Sequence, residues 1–211
     1  MSCFPFFMEL EGKSILIAGG GRVALGKIEK LLPYGPRLTV AAPEIAQEIA
    51  VLPGLRLLRR HFRPEDLEGA DFAIAATSNR KTDSQIAALC REKGIPVNAA
   101  DNPEACTFLF PALVKRGSLT IGISTGGASP TAAVWLKEQI AALLPDRLEE
   151  ILDFLYDLRP GIKALLPEEK ARARAFSGLF HRCLDAGRPL TVSETEAYLG
   201  LLAEEREDIW K

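Results

Sequence analysis

Residues 13–32 constrain this chain more than any other stretch. Ser14 to Ala18 is a short apolar run, Gly19-Gly20-Gly21-Arg22 is a turn, and 23–32 predicts a helix with apolar Val23, Ala24, Ile28, Leu31 and Leu32. A strand feeding a glycine turn and then an amphipathic helix opens a mononucleotide-binding βαβ unit, and so predicts a Rossmann-type parallel α/β sheet. Gly19, Gly21 and Ala24 fill its G-x-G-x-x-G/A pattern. The first glycine permits the tight turn. The second lets a pyrophosphate approach where a Cβ would stand, and the small third residue lets helix pack on strand. Backbone N–H groups at the helix start then face the phosphates.

The strand–helix alternation continues from there. Strands are predicted at 37–41, 55–60, 72–76 and 95–99, and helices at 45–51 and 81–93, the latter closed by Gly94. Phe72-Ala73-Ile74-Ala75-Ala76 is apolar throughout, as a central strand covered on both faces must be. Thr77 follows it and Asn98 and Asp101 end the next strand, so two strand ends present polar groups to one crevice. Pro43 and Glu44 follow the second strand. Glu44 stands where an acid reaches a ribose, or is merely an acid at a helix start. No Arg or Lys directly follows that strand, which favours NAD over NADP.

Beyond Asp101 the alternation stops. Residues 112–115 and 118–123 predict an antiparallel hairpin turning at Arg116-Gly117. Ser124-Thr125-Gly126-Gly127-Ala128-Ser129-Pro130 then opens a helix over 131–144, with Ser129 as its cap. This is a second loop able to accept anions, or simply a capping turn. Trp135, Leu136, Ile140, Leu143 and Leu144 share one side of that helix. The remainder is helical: one stripe is stopped by Pro160-Gly161, another contains Phe176, Leu179 and Cys183, and Ser193-Glu194-Thr195-Glu196 reads as a capping box. The domain boundaries expected are 1–111, 112–145 and 146–211.

Composition narrows the partners. A net charge of −2 with interspersed signs provides no field for a nucleic-acid backbone. No run approaches a membrane span and residues 1–8 lack a signal's basic start, so a cytoplasmic protein is expected. Cys3, Cys90, Cys106 and Cys183 are scattered free thiols, His61 and His181 stand apart from them, and no metal site is expected.

Six segments, taken in order, are more specific than any one of them. They are Phe4-Pro5-Phe6, Ile17 through Ala24, Ala75-Ala76-Thr77, Val97-Asn98-Ala99-Ala100-Asp101, Phe110-Pro111-Ala112 and Ser124 through Pro130. With them the chain resembles the siroheme synthase amino-terminal family, the precorrin-2 dehydrogenase and sirohydrochlorin ferrochelatase module, over about residues 4–145. The resemblance implies a homodimer joined by the hairpin and its helix, NAD⁺-dependent oxidation of precorrin-2 to sirohydrochlorin, and a stand-alone module without the methyltransferase fused in some members. It places Gly19, Gly20, Gly21, Arg22, Val23 and Ala24 at the pyrophosphate, Pro43 and Glu44 at the adenosine, and Asp101 as the catalytic carboxylate. Ser124, Thr125, Gly126, Gly127 and Ser129, with Asn98, would border the tetrapyrrole.

Asp83 departs from the Asn frequent in the family, so no ribose contact is inferred there. Asp101 would serve as base if apolar Ala99, Ala100 and Phe108 desolvate it. Lys115, Arg116 and Lys137 are candidate partners for substrate carboxylates. Two alternatives stay open. One is a bifunctional enzyme that also inserts Fe²⁺ into sirohydrochlorin. The other is a non-catalytic NAD-sensing module, which would share the glycine turn but need neither Asp101 nor the 124–130 loop.

Overall fold

The structure, a computed structural model, describes residues 3–208. The chain forms two compact units that divide between Phe110 and Pro111. The first contains Ser14–Ala18 (β1), Arg22–Leu31 (α1), Arg37–Ala41 (β2), Gln47–Ala50 (α2), Leu55–Leu58 (β3), Phe72–Ala75 (β4), Arg80–Glu92 (α3) and Val97–Ala99 (β5). Its sheet runs β3-β2-β1-β4-β5 and every pair is parallel. The chain winds outward from β1 in one direction and then returns to its other side, so the order reverses between β1 and β4. A crevice forms at the carboxyl ends of strands at such a reversal.

Why β1 is apolar from Ile15 to Ala18 follows from the two helices that flank it. Ile15 and Ile17 pack with Ala24, Ile28 and Leu31 of α1, while Leu16 and Ala18 pack with Ile86, Ala87 and Cys90 of α3. Successive side chains leave opposite faces of a strand, and here both faces are covered.

Several elements are shorter than the sequence predicts. β3 ends at Leu58 because Arg60 turns away to grip Asp66 with two hydrogen bonds of 2.6 and 2.8 Å. β5 begins only at Val97, since Pro96 has no N–H for a ladder. The helix expected over 45–51 is a single turn. Ile45 and Ala46 are drawn into the glycine loop instead, where the Ala46 N–H donates to the Gly20 carbonyl at 2.8 Å.

The second unit opens with the antiparallel hairpin Ala112–Arg116 (β6) and Leu119–Ile123 (β7). Its loop is Gly117-Ser118, one residue later than predicted, with Gly117 at φ +51° as a primed two-residue turn requires. Helices follow at Pro130–Leu143 (α4), Leu148–Asp157 (α5), Arg159–Leu165 (α6), Glu169–Ala186 (α7) and Val192–Asp208 (α8). Ile162, Leu166, Ala171, Ala175 and Leu179 centre a helical core. The stripe of α5 ends at Asp157, just ahead of Pro160-Gly161, and that pair then lies in the first turn of α6. The capping box is two residues earlier than expected: Glu194 accepts from the Thr191 N–H at 2.7 Å, and Thr191 Oγ1 accepts from the Glu194 N–H at 3.3 Å.

The apolar side expected of α4 is exposed, with Trp135 at 57% and Leu143 at 80%. Among the described residues no helix is long and apolar enough to cross a membrane.

Candidate dinucleotide cleft

The glycine turn leaves β1 at the point of reversal, and each glycine answers to a different neighbour. Gly19 has φ +127°, and a Cβ there would stand 2.0 Å from the Ala76 carbonyl oxygen at the end of β4. A Cβ on Gly20 would stand 2.3 Å from the Glu44 carbonyl oxygen in the loop after β2. These two positions close the floor of the turn against both adjoining strands. Gly21 differs, because a Cβ added there meets nothing within 4 Å. The space beside Gly21 belongs to no part of the unit.

Gly21 is also the cap of α1, and no side chain bonds to that amino end. N–H groups at an uncapped helix start beside open space are what a phosphate needs. Arg22 and Val23 open the helix on its exposed side, and Ala24 is fully buried against the sheet.

Around the turn lies a cleft of about 680 Å³, lined by Gly19, Gly20, Gly21, the 41–46 loop, His61, Phe62, residues 76–79 and Thr82. Its size falls in the range of small-molecule sites. Pro43 and Glu44 form one wall and Thr77 the opposite one. His61 and Phe62 come from the segment that follows β3, and their place in the lining had no local motif to announce it. The lining contains no Lys or Arg, and the nearby Arg60 is committed to Asp66, whose carboxyl it holds below the usual carboxylate range.

Asp83 has a structural task the sequence did not disclose. It is 3% exposed, and its Oδ1 accepts from both the Thr77 N–H (2.9 Å) and the Thr77 hydroxyl (2.7 Å). Asn79 caps α3 by accepting from the Lys81 and Thr82 N–H groups. Together they fix the segment after β4, in which Ser78 is held at φ +61°. Asp101, after β5, has φ +55°. Non-glycine residues rarely adopt such backbone, and it concentrates at functional sites.

Asp101 is exposed, a correction to the expectation that Ala99, Ala100 and Phe108 desolvate it. The left-handed turn after Ala99 carries the carboxylate out of the layer in which Ala99 is buried. Asn98 is 5% exposed, and its amide donates to the Phe108 carbonyl at 3.0 Å and to Cys106 Sγ. It anchors the 106–110 segment along β5.

In the second unit the 124–129 loop is closed on itself. Thr125 Oγ1 donates to the Ser129 carbonyl at 3.0 Å and accepts from the Ser129 N–H at 3.2 Å. Ser124 Oγ accepts from the Gly126 N–H, Ser129 Oγ accepts from the Ala132 N–H, and Gly126 and Gly127 take positive φ. Among the described residues no group of three or more His, Cys, Asp and Glu side chains could hold a metal ion.

Comparison with known proteins now adds to this geometry. Residues 6–112 match the family model described as putative NAD(P)-binding, and residues 116–143 match the one described as sirohaem biosynthesis protein central. The chain belongs to the siroheme synthase amino-terminal family. Siroheme synthase of Methylococcus capsulatus is 37% identical over 175 residues, covering 82% of this chain and 37% of the relative. Siroheme synthase of Ectopseudomonas mendocina is 34% identical over 194 residues, covering 90% and 42%. The chain thus spans about two-fifths of the length of these curated relatives. A solved structure titled SirC, precorrin-2 dehydrogenase, superposes with a TM-score of 0.69 at 26% identity, covering 96% of this chain and all of that one. The match described as putative NAD(P)-binding covers residues 6–110 of the unit that holds the cleft.

Proposed function

We propose that the chain is a precorrin-2 dehydrogenase that takes NAD⁺ rather than NADP⁺ and yields sirohydrochlorin. The observation that carries the reading is the open position beside Gly21 at an uncapped helix start, in a chain that aligns along its length with a structure titled precorrin-2 dehydrogenase. The absence of Lys and Arg from the cleft lining supports NAD, because a 2′-phosphate would find no permanent positive charge there.

In this reading Gly21 and the first N–H groups of α1 hold the pyrophosphate, and Pro43 and Glu44 flank the adenosine. Thr77, fixed by Asp83, lies beside the nicotinamide ribose. Bound NAD⁺ supplies the hydride acceptor. Asp101 takes the accompanying proton from the substrate, so that two electrons and two hydrogens leave together. Being exposed, Asp101 gains its desolvation from the bound macrocycle. A homodimer covers Val134, Trp135, Leu136 and Leu143 of α4. Segments 1–111, 112–145 and 146–211 then serve cofactor binding, dimerisation and helical support. Buried unpaired thiols at Cys90 and Cys183 suit the cytoplasm.

The test is NADH formation from precorrin-2, followed by absorbance, with a separate arm for Fe²⁺ insertion into sirohydrochlorin. Asp101→Ala should lower turnover by roughly a hundredfold or more while NAD⁺ affinity is kept. Unchanged turnover removes Asp101 from the mechanism, and no NADH from the wild type removes the activity.

A further inference from the structure

Lys27 stands on α1 about a turn and a half beyond the glycine cradle, outside the lining of the dinucleotide cleft. Its ammonium lies 4.0 Å from the centre of the Phe110 ring, and the side chain is half-buried. Phe110 is itself held in an aromatic row, 5.6 Å from Phe108, which in turn meets Phe72 edge-on at 5.8 Å. Asn98 fixes Phe108 by its carbonyl, so the ring beneath the ammonium is placed by the same strand that presents Asp101.

Burial and three neighbouring groups set the charge balance at Lys27. Burial is the main influence lowering its pKa from the ordinary lysine value, and Lys30 on the same helix adds to it. Cys106 and Asp101, on the segment after β5, act in the opposite direction. Asp101 is therefore within electrostatic reach. Among the described residues, however, no carboxylate lies within ion-pair distance of Lys27. A half-buried ammonium that rests on a π face and has no carboxylate in contact is incompletely compensated. It faces the segment that carries the base and has no anion of its own.

We infer that Lys27 is a substrate-binding residue, its ammonium pairing with a peripheral carboxylate of the tetrapyrrole and so bringing the macrocycle to Asp101. This rests on the dehydrogenase reading above and extends it, since it gives the sheet unit a specific hold on a polyanionic substrate. A phosphate of the cofactor is the less suitable partner, because the open space beside Gly21 lies at the other end of the helix's first turns. A carboxylate reaching Lys27 would complete the ion pair at a partly desolvated site, where a charge-assisted hydrogen bond gains strength.

Steady-state kinetics with precorrin-2 and NAD⁺ separate this role from a structural one. Lys27→Met should raise the KM for the tetrapyrrole roughly tenfold or more, with much less change in kcat and none in NAD⁺ affinity. Lys27→Arg should recover most of the loss. A KM that does not move, or one that rises in step with a weakened NAD⁺ affinity, overturns the assignment. A second measurement uses the wild-type protein and needs no variant to fold. Uroporphyrin I, a macrocycle ringed with carboxylates, should protect Lys27 from acetylation by acetic anhydride, whereas NAD⁺ should not, as read by peptide mass spectrometry. Lack of protection overturns the inference even where NADH formation stands. A wild type that forms no NADH overturns the dehydrogenase reading itself, and this inference with it.

Discussion

Two glycine-containing loops in this molecule each leave a strand and open a long helix, yet they are built on opposite plans. At Gly19-Gly20-Gly21 the chain closes the floor with two glycines, leaves a third facing open space, and provides no side chain for the amino end of α1. At Ser124 to Ser129 the hydroxyls of Ser124, Thr125 and Ser129 satisfy the loop from within, and Ser129 caps α4. The start of α8 follows the second plan, with Thr191 and Glu194 bonding reciprocally. The difference teaches how to read such loops. Glycine content alone does not make an anion site; what matters is whether the chain consumes its own donors.

The largest effect that bears on this contrast is expected at Gly19. Gly19→Ala combines an unfavourable φ with a backbone clash at Ala76, and should destabilise the fold by about 3 kcal/mol or more in chemical denaturation. A stable variant would mean that the floor of the turn can shift. Gly21→Val probes the ligand side alone. Its backbone, at φ −97° and ψ −165°, suits any residue, so stability should hold while NAD⁺ binding, measured by calorimetry, weakens by roughly a hundredfold. Equal binding would place the phosphates elsewhere.

Ser129→Ala should show the reverse pattern. Removing that cap costs about 1 kcal/mol of stability in denaturant melts and leaves NAD⁺ affinity unaltered. The smallest effect is a pH dependence at the start of α8. Arg188 and Thr191 hold the Glu194 carboxyl down at about 2, against an ordinary 4.5. The folded form therefore binds its proton less readily than the unfolded chain. Its contribution is complete above pH 4.5 and fades as pH falls through about 2. The Tm difference between wild type and Glu194→Gln should be present at neutral pH and close across that window. A gap that persists in strong acid would assign the cap to something other than charge.

Much of the sheet unit was legible because its periodicity and its function coincide. β1 and β2 run over the predicted residues, since both are short segments rich in strand-forming residues and bounded by turn signals. Positions set by tertiary contact were not legible. Nothing local tells Ile45 and Ala46 to leave a helix for the carbonyl of Gly20, or tells Asp83 to spend a buried carboxylate on Thr77. His61 and Phe62 reach the cleft only because β3 lies two places from β1 in the sheet. Lys27 gains its meaning from Phe110, which is far from it in sequence. On α4 the apolar spacing was plain to read, but spacing says only that a face is greasy, not that its own chain covers it.

The order β3-β2-β1-β4-β5 has a consequence for how the unit melts. The cleft is assembled from the ends of four strands, with walls contributed from residue 19 to residue 82. No fragment shorter than this can offer the full set of contacts. A bound dinucleotide acts as a clasp across the whole sheet, and partial unfolding of any wall releases it. Saturating ligand, at a hundred times its Kd, should then raise global stability by about 2.7 kcal/mol and sharpen cooperativity rather than stiffen one loop.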